Sequence, residues 1–352
     1  METLKFIASY DDTIQFCETD TKLGEKYKSI FAGKEGRMTT FDPIMTAASN
    51  PTLLSDKHVD IWTVKGSSVK RGLNAFDEEK FTKLFIKRQK TLLDQEDQTK
   101  LVRSGFDAYA YLMAYEDEIH SLYGSRDLTK LQKAALYYVE TGKEEVELDY
   151  IRYIASYDDL VLGTVSGNVE NKPWEEFIPT IGKLHYDTAG RNEIATGVRP
   201  VTDFFNATQY IATYFQAQDF FKADDGTLDE KKIAIVYITI GASNGYVRNG
   251  FNHNIFLANY PELLEEDIYV DKEISPIKVA KLWLVKVKDG IDLSKFDALD
   301  FKESNGLDDV SDAFVKYVQV KKAEYLKMLK KKSKLFYRLG ASLCGVSKLN
   351  KM

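Results

Sequence analysis

Apolar and polar positions alternate along this chain in short blocks that share one frame. The clearest block is Phe106-Asp107-Ala108-Tyr109-Ala110-Tyr111-Leu112-Met113-Ala114-Tyr115. Leu148-Asp149 leads in the same way to Tyr153-Ile154-Ala155-Ser156-Tyr157, Phe205-Asn206 to Tyr210 and Tyr214, and Phe251-Asn252 to Phe256 and Tyr260. Met1-Glu2 leads to Phe6-Ile7-Ala8-Ser9-Tyr10, and weaker blocks start at Phe41-Asp42, Phe76-Asp77 and Phe296-Asp297. The frame is an apolar residue, Asp or Asn, three variable residues, an aromatic, Ile or Leu, two small residues and a second aromatic.

Each block predicts the start of a short helix. The side-chain oxygen of Asp or Asn caps the free N–H groups of the first turn, which assigns Asp42, Asp107, Asp149, Asn206 and Asn252 as caps. The preceding apolar residue and the aromatic four places after the cap then close a hydrophobic staple. The repeat anchors are therefore Phe6, Tyr10, Tyr111, Tyr115, Tyr153, Tyr157, Tyr210, Tyr214, Phe256 and Tyr260. Pro43 follows Asp42 at the first helical position, where proline is favoured. Pro51 and Pro261 stand where Asp11 and Asp158 stand in other blocks, so a second helix is expected to begin there. The paired carboxylates Asp11-Asp12 and Asp158-Asp159 read as helix starts at the positive end of the peptide dipoles.

The block starts lie 30 to 57 residues apart, within the period range of helical arrays. Glycine after an aromatic cluster, often followed by Lys or Arg, closes several units: Gly33 to Arg37, Gly142-Lys143, Gly190-Arg191 and Gly241. Such glycines suit a left-handed helix exit. The predicted fold is all-α, an irregular, solenoid-like array of short-helix repeats of about 40–45 residues, because no single unit can bury its own apolar face. Residues 1–105 comprise N-terminal repeats and a charged helical connector, in which Phe81, Leu84, Phe85 and Arg88 keep helical spacing. Residues 106–309 hold the central and C-terminal repeats, with a loop at 163–179 marked by Gly163, Gly167, Pro173 and Pro179 and anchored by Trp174 and Phe177. Ile233–Ile240 and Val279–Val287 are β-branched enough to read as strands, and repeat position favours helix for the first. Residues 310–352 form a basic amphipathic tail.

The strings Phe6-Ile7-Ala8-Ser9-Tyr10-Asp11-Asp12, Gly33-Lys34-Glu35-Gly36-Arg37 and Tyr153-Ile154-Ala155-Ser156-Tyr157-Asp158-Asp159-Leu160 resemble a helical repeat family. That family is found in large proteins of giant icosahedral DNA viruses and in bacterial proteins described as haemolysin-like. The resemblance covers about residues 1–305 and brings no catalytic residues with it. It implies a non-enzymatic structural protein: a minor capsid component that braces shell subunits, with other major and minor capsid proteins as partners. The implied location is the virion, assembled in host cytoplasm.

Charge and cysteine content sharpen this picture. Cys17 and Cys344 lie at opposite ends and form no disulfide framework. Met1 already stands in the repeat frame, so secretion is not expected. The net charge of −6 conceals an asymmetry, since residues 316–352 carry eleven Lys or Arg and one acid, Glu324. The tail is thus near +10 and the body near −16. Lys327, Lys330, Lys331, Lys332, Lys334 and Arg338, interleaved with Leu335, Phe336, Tyr337 and Leu339, fit an inner membrane surface, nucleic acid or another shell protein. An adaptor that binds an acidic partner through the same tail is the alternative.

No cofactor, metal or small-molecule substrate is expected. His58, His120, His185 and His253 are scattered without ligand spacing. Gly241 to Gly250 lacks a phosphate-loop Lys-Ser/Thr. Asn206-Ala207-Thr208 matches a glycosylation acceptor, but capping explains Asn206.

Overall fold

A computed structural model describes residues 1–31, 37–55, 60–64, 74–97, 99–213, 221–223, 225–242, 249–270, 273–286, 296–309, 312–324 and 326–327. In chain order these form α1 (Glu2–Ser9), α2 (Asp11–Cys17), α3 (Thr21–Phe31), α4 (Pro43–Ser49), α5 (Pro51–Leu54), β1 (Trp62–Val64), β2 (Asn74–Phe76) and α6 (Glu78–Asp94). Next come α7 (Ala108–Ala114), α8 (Glu116–Tyr123), α9 (Lys130–Thr141), α10 (Tyr150–Ala155), α11 (Asp158–Gly167), α12 (Trp174–His185), a π-helical turn (Tyr186–Gly190) and α13 (Arg191–Ala195). The remainder is α14 (Ala207–Thr213), α15 (Glu230–Val236), a second π turn (Tyr237–Gly241), α16 (His253–Asn259), a 3₁₀ helix (Pro261–Glu265), β3 (Tyr269–Val270), β4 (Glu273–Ile274), α17 (Pro276–Lys286) and α18 (Ala298–Ser304). Residues 312–324 are also helical.

The chain is mostly helical, and two small antiparallel pairs, β1–β2 and β3–β4, correct the all-α expectation. It divides into two compact units. One comprises residues 1–150 and 182–202, the other 151–181 and 203–352. The chain crosses between them within α10, within α12 and after Thr202.

The predicted caps organise the local structure. The Asp42 carboxylate accepts from the N–H groups of Ile44 and Met45, and Asp107 accepts from Ala110. Asn206 accepts from Gln209 at 2.8 Å and Asn252 from Ile255 at 3.1 Å. Asp149 immediately precedes α10. The first block differs: Met1 takes the cap position of α1, Glu2 lies inside the helix, and no side chain caps it. Glutamate's longer side chain is no substitute for Asp at a cap. The staples close as well. Ring centroids are 5.3 Å apart for Phe106–Tyr111, 5.7 Å for Phe205–Tyr210, 6.0 Å for Phe251–Phe256 and 5.6 Å for Phe296–Phe301.

In the first four copies a short helix A is followed, one or two residues later, by a second helix B and then by a closing helix C. The triplets are α1-α2-α3, α4-α5-α6, α7-α8-α9 and α10-α11-α12. In the later copies α14 is closed by α15 and its π turn, α16 by α17 after the 3₁₀ helix, and α18 by the helix over 312–324. Asp11, Asp158, Pro51 and Pro261 all begin helix B, as expected. Phe76-Asp77 is a genuine capped start, with its own Phe76–Phe81 staple at 5.4 Å. The 17-residue helix it opens is helix C of the copy begun at Phe41, because Phe41 packs on Phe85 at 5.0 Å. Phe106 meets Tyr138, Phe205 meets Tyr237, Phe251 meets Trp283 and Phe296 meets Tyr317 in the corresponding way.

Within the compact units, the A helices α1, α4 and α14 each lie between two C helices. In the first unit, α1 packs on α3 and α6, and α4 on α6 and α9; α7 packs on α9, and its Tyr109 ring meets Tyr186. In the second, α14 packs on α15 and α17. Enclosure from both sides requires a helix that is apolar all round. In α7, six of the seven residues are buried.

Ile233–Ile240 is helical, as its repeat position favoured, and residues 279–286 are helical too. Other expectations need revision. The loop expected over 163–179 shrinks to residues 168–173, because α11 continues through Gly163 and Gly167 and α12 contains Trp174, Phe177 and Pro179. A Cβ at Gly163 would meet nothing within 4 Å, so glycine there sits on an open helix face and does not break it. Gly142 makes the left-handed exit at φ 64°. Gly190 and Gly241 stay in right-handed helical turns. At Gly241 the reason is contact, since an added Cβ would lie 2.5 Å from the Tyr210 hydroxyl oxygen. Gly33 lies outside the described residues.

One hydroxyl ties copies together. Ser156 Oγ donates to the Arg152 carbonyl and accepts from the Phe205 N–H at 2.9 Å. Ser9 accepts from Thr40 and Phe41, and Ser49 from Phe106. Ser156→Ala strips a buried amide of its acceptor and is expected to cost about 1–3 kcal/mol. Urea unfolding measures this, together with faster hydrogen exchange at Phe205. Ser166→Ala, at an exposed hydroxyl that bonds back to Leu162, should stay within about 0.5 kcal/mol of wild type.

Candidate functional site

The helix A–helix B break places an aromatic and an acid side by side, and a cation from the end of the same copy closes over both. In the first copy the Arg37 guanidinium lies 4.8 Å from the Tyr10 ring centroid and bonds Asp12 at 2.6 Å. The Tyr10 hydroxyl donates to the Met38 carbonyl. In the third copy Lys143 Nζ lies 4.8 Å from the Tyr115 centroid and 2.5 Å from Glu118. The Tyr115 hydroxyl donates to the Glu144 carbonyl. At Gly142-Lys143 the landmark therefore does two things: glycine turns the chain, and the cation locks it to the Tyr and acid of the break. Cation–π contact and charge pairing act through the same cationic group here.

Around Lys143 a phenol cluster is buried. The Tyr111, Tyr123 and Tyr137 side chains are all fully buried. Tyr137 donates to Glu118, and Tyr123 donates to Glu140 at 2.7 Å. Burial, more than any neighbour, pushes the Tyr111, Tyr123 and Tyr137 hydroxyls above the usual phenol range. The hydrogen bonds to Glu118 and then Tyr137 push the Lys143 ammonium up, so it stays charged. These shifts run against proton transfer near neutrality, where a general acid or base needs a pKa close to the working pH.

The caps have a second role that their spacing did not announce. The Gln132 amide on helix C of the third copy donates to Asp42 at 2.6 Å. The Tyr186 hydroxyl of the fourth copy donates to Asp107 at 2.7 Å, and Arg191 pairs with the other Asp107 oxygen. One carboxylate thus caps its own helix and receives the next copy.

Asp11 is bound as firmly. Arg103 bridges the Ala8 carbonyl and the Asp11 carboxylate at 2.7 and 2.6 Å, and Gln89 adds a longer contact. Desolvation pulls the Asp11 carboxyl upward, but hydrogen bonding and charge from Arg103 outweigh it and hold it below the usual range. Ser9, Ser49, Arg103, Gln132 and Tyr186 are joint residues that the sequence reading passed over. The Ser of the Ile-Ala-Ser-Tyr string was the available signal.

Phe6, Tyr111, Tyr153, Tyr157, Tyr210 and Phe256 are buried, while Tyr10, Tyr115 and Tyr260 are half-buried at helix ends. Tyr214 lies outside the described residues. So do Lys330, Lys331, Lys332, Lys334 and Arg338; Lys327 is exposed. Burial, then Asp20 and Asp12, push the Cys17 thiol upward, away from thiolate chemistry. Among the described residues no group of three His, Cys, Asp or Glu side chains is placed to hold a metal ion. Among them, too, no helix is long and apolar enough to cross a membrane. No family model, curated protein or solved structure matches the chain.

Two measurements test these assignments. The double variant Tyr153→Ala, Tyr157→Ala opens an aromatic cavity where the rings meet at 5.6 Å. Each truncation is expected to cost about 3–5 kcal/mol, read as a large fall in thermal midpoint; an unchanged midpoint would deny both rings their anchoring role. For Asp11 the lowered folded value means its stabilisation is full above the unfolded value of about 3.9. It is lost as the pH falls through the lower folded value. Asp11→Asn should therefore give a shallower acid limb in a stability–pH curve, with lower stability at neutral pH.

Proposed function

We propose that the protein is a non-enzymatic structural component, a minor capsid protein of a large icosahedral DNA virus. Its helical copies form a solenoid-like array with repeats of about 40–45 residues, and that array braces neighbouring shell subunits. The observation that carries this reading is where the polar chemistry goes. Ser9, Ser156, Tyr10, Asp11, Asp12 and Arg37, the residues that make the repeat string recognisable, each engage another helix, turn or copy of the same chain. A repeat that invests its reactive side chains in joints is a building material. The resemblance to repeats of giant icosahedral viruses supplies the setting, with assembly in host cytoplasm and other capsid proteins as partners. The basic tail from Lys327 to Arg338 reaches an inner membrane surface or another shell protein.

The charge asymmetry between body and tail favours a second reading, an adaptor held to an acidic partner, an anionic membrane or nucleic acid by charge. Cross-linking mass spectrometry separates the two, applied to intact particles before and after a high-salt and detergent wash. The expected result is a reproducible set of cross-links to shell proteins that survives the wash. Cross-links that vanish with salt, or that run only to soluble proteins, would overturn the shell role in favour of the adaptor.

A further inference from the structure

In the interior joints, helix C is shared between its own copy and the one before it. α6 packs on α4 and α1, α9 on α7 and α4, and α17 on α16 and α14. α3 holds the C position of the first copy, and its principal packing partners among the described residues are α1 and α2. Its one buried residue is Gly24, where α6 buries six residues and α9 five. An apolar face is left in solvent. Leu23 is 37% and Ile30 43% exposed, and beside them Phe16 of α2, 65% exposed, stacks on Tyr27.

The opposite half of the same joint is open at α18. This is the A helix of the last described copy, and it buries no residue. Leu299 is 62% exposed. Ser304 occupies the position of Ser9, Ser49 and Ser156 and is also exposed. Charge matches across the two faces. α3 carries Lys22, Lys26 and Lys28 against Glu25, whereas residues 297–309 carry Asp297, Asp300, Glu303, Asp308 and Asp309 against Lys302.

We propose that α18 of one molecule docks on the outer face of α3 of a second copy of this chain, so that the A-on-C joint continues from molecule to molecule. Three features point to that occupant. The joint already recurs inside the chain, its two halves are the faces left open, and their charges are opposite. Such a contact is heterologous: each molecule uses two different surfaces, and the series extends unless its geometry closes a ring. The inference rests on the joints and is independent of the shell assignment.

Sedimentation velocity on the full 352-residue chain, across concentration and salt, tests it. Reversible self-association that weakens as salt screens the charges is expected. Leu299→Lys and Ile30→Lys each block one face and should raise the dissociation constant by about tenfold or more. Unchanged circular dichroism and melting in both variants would show that the fold is intact. Mixing them is the decisive arm. The Ile30→Lys chain keeps its α18 face and the Leu299→Lys chain keeps its α3 face, so the mixture should form dimers that grow no further. The two blocked faces both carry lysine and cannot rescue each other. A wild-type chain that stays monomeric at every concentration would overturn the proposal. So would a mixture that stays monomeric while the wild type associates, or association lost in Ile30→Lys but kept in Leu299→Lys, which marks a symmetric α3 contact.

Discussion

A helix of seven residues gains too few hydrogen bonds to offset its nucleation, and in water it would be frayed. α4, α7, α14 and α16 are all of this length. What holds each of them is burial against neighbouring helices, anchored by the ring before the cap. The ring before the cap folds back on the first turn and simultaneously meets a ring of the closing helix, as Phe106 does with Tyr111 and Tyr138. That single side chain fixes the entry angle of helix A and the docking of helix C. Offset and edge-on ring pairs at these separations add to the area they bury. The rest of the copy is arranged to let that ring sit where it does.

The polar groups then work at one remove. A buried amide or carboxylate left without a partner would forfeit much of what the rings supply. The chain answers with shared groups. Asp107 caps α7 and also receives Tyr186, Ser156 bonds its own helix and the Phe205 amide, and Asn50 bonds both the carbonyl and the N–H of Val102. Each shared group joins residues far apart in sequence, so local capping and long-range docking stand or fall together.

How much of this could be read from the residues depends on the range of the interaction concerned. Caps, staples and the helix A–helix B break follow from neighbours within ten positions, and Asp42, Asp107, Asn206 and Asn252 appear where the frame put them. The role of α6 did not follow. Phe76-Asp77 obeys the same local rule as the other starts, and only the packing of Phe85 on Phe41 tells a closing helix from an opening one. Gly241 looked like an exit because glycine has two uses, and the Tyr210 hydroxyl that decides between them lies in another helix. The joints of Ser9 and Ser156 were hidden in the same way, since a hydroxyl at a helix end shows nothing of the amide it will receive. Tail chemistry was legible only as charge.

The interleaving of A and C helices separates inheritance from folding. Counted by its repeat frame, the fourth copy is one segment beginning at Leu148. Counted by compactness, it is divided: residues from 151 to 181 belong to one unit, and the segment bearing Tyr186 and Arg191 belongs to the other. A chain cut at 148 would keep three whole copies by sequence and yet lose the ring that meets Tyr109 and the donor that meets Asp107. Duplication that adds a copy in frame must therefore insert it into two existing joints at once. The segment that repeats and the body that packs as one compact unit are different stretches of the same polypeptide.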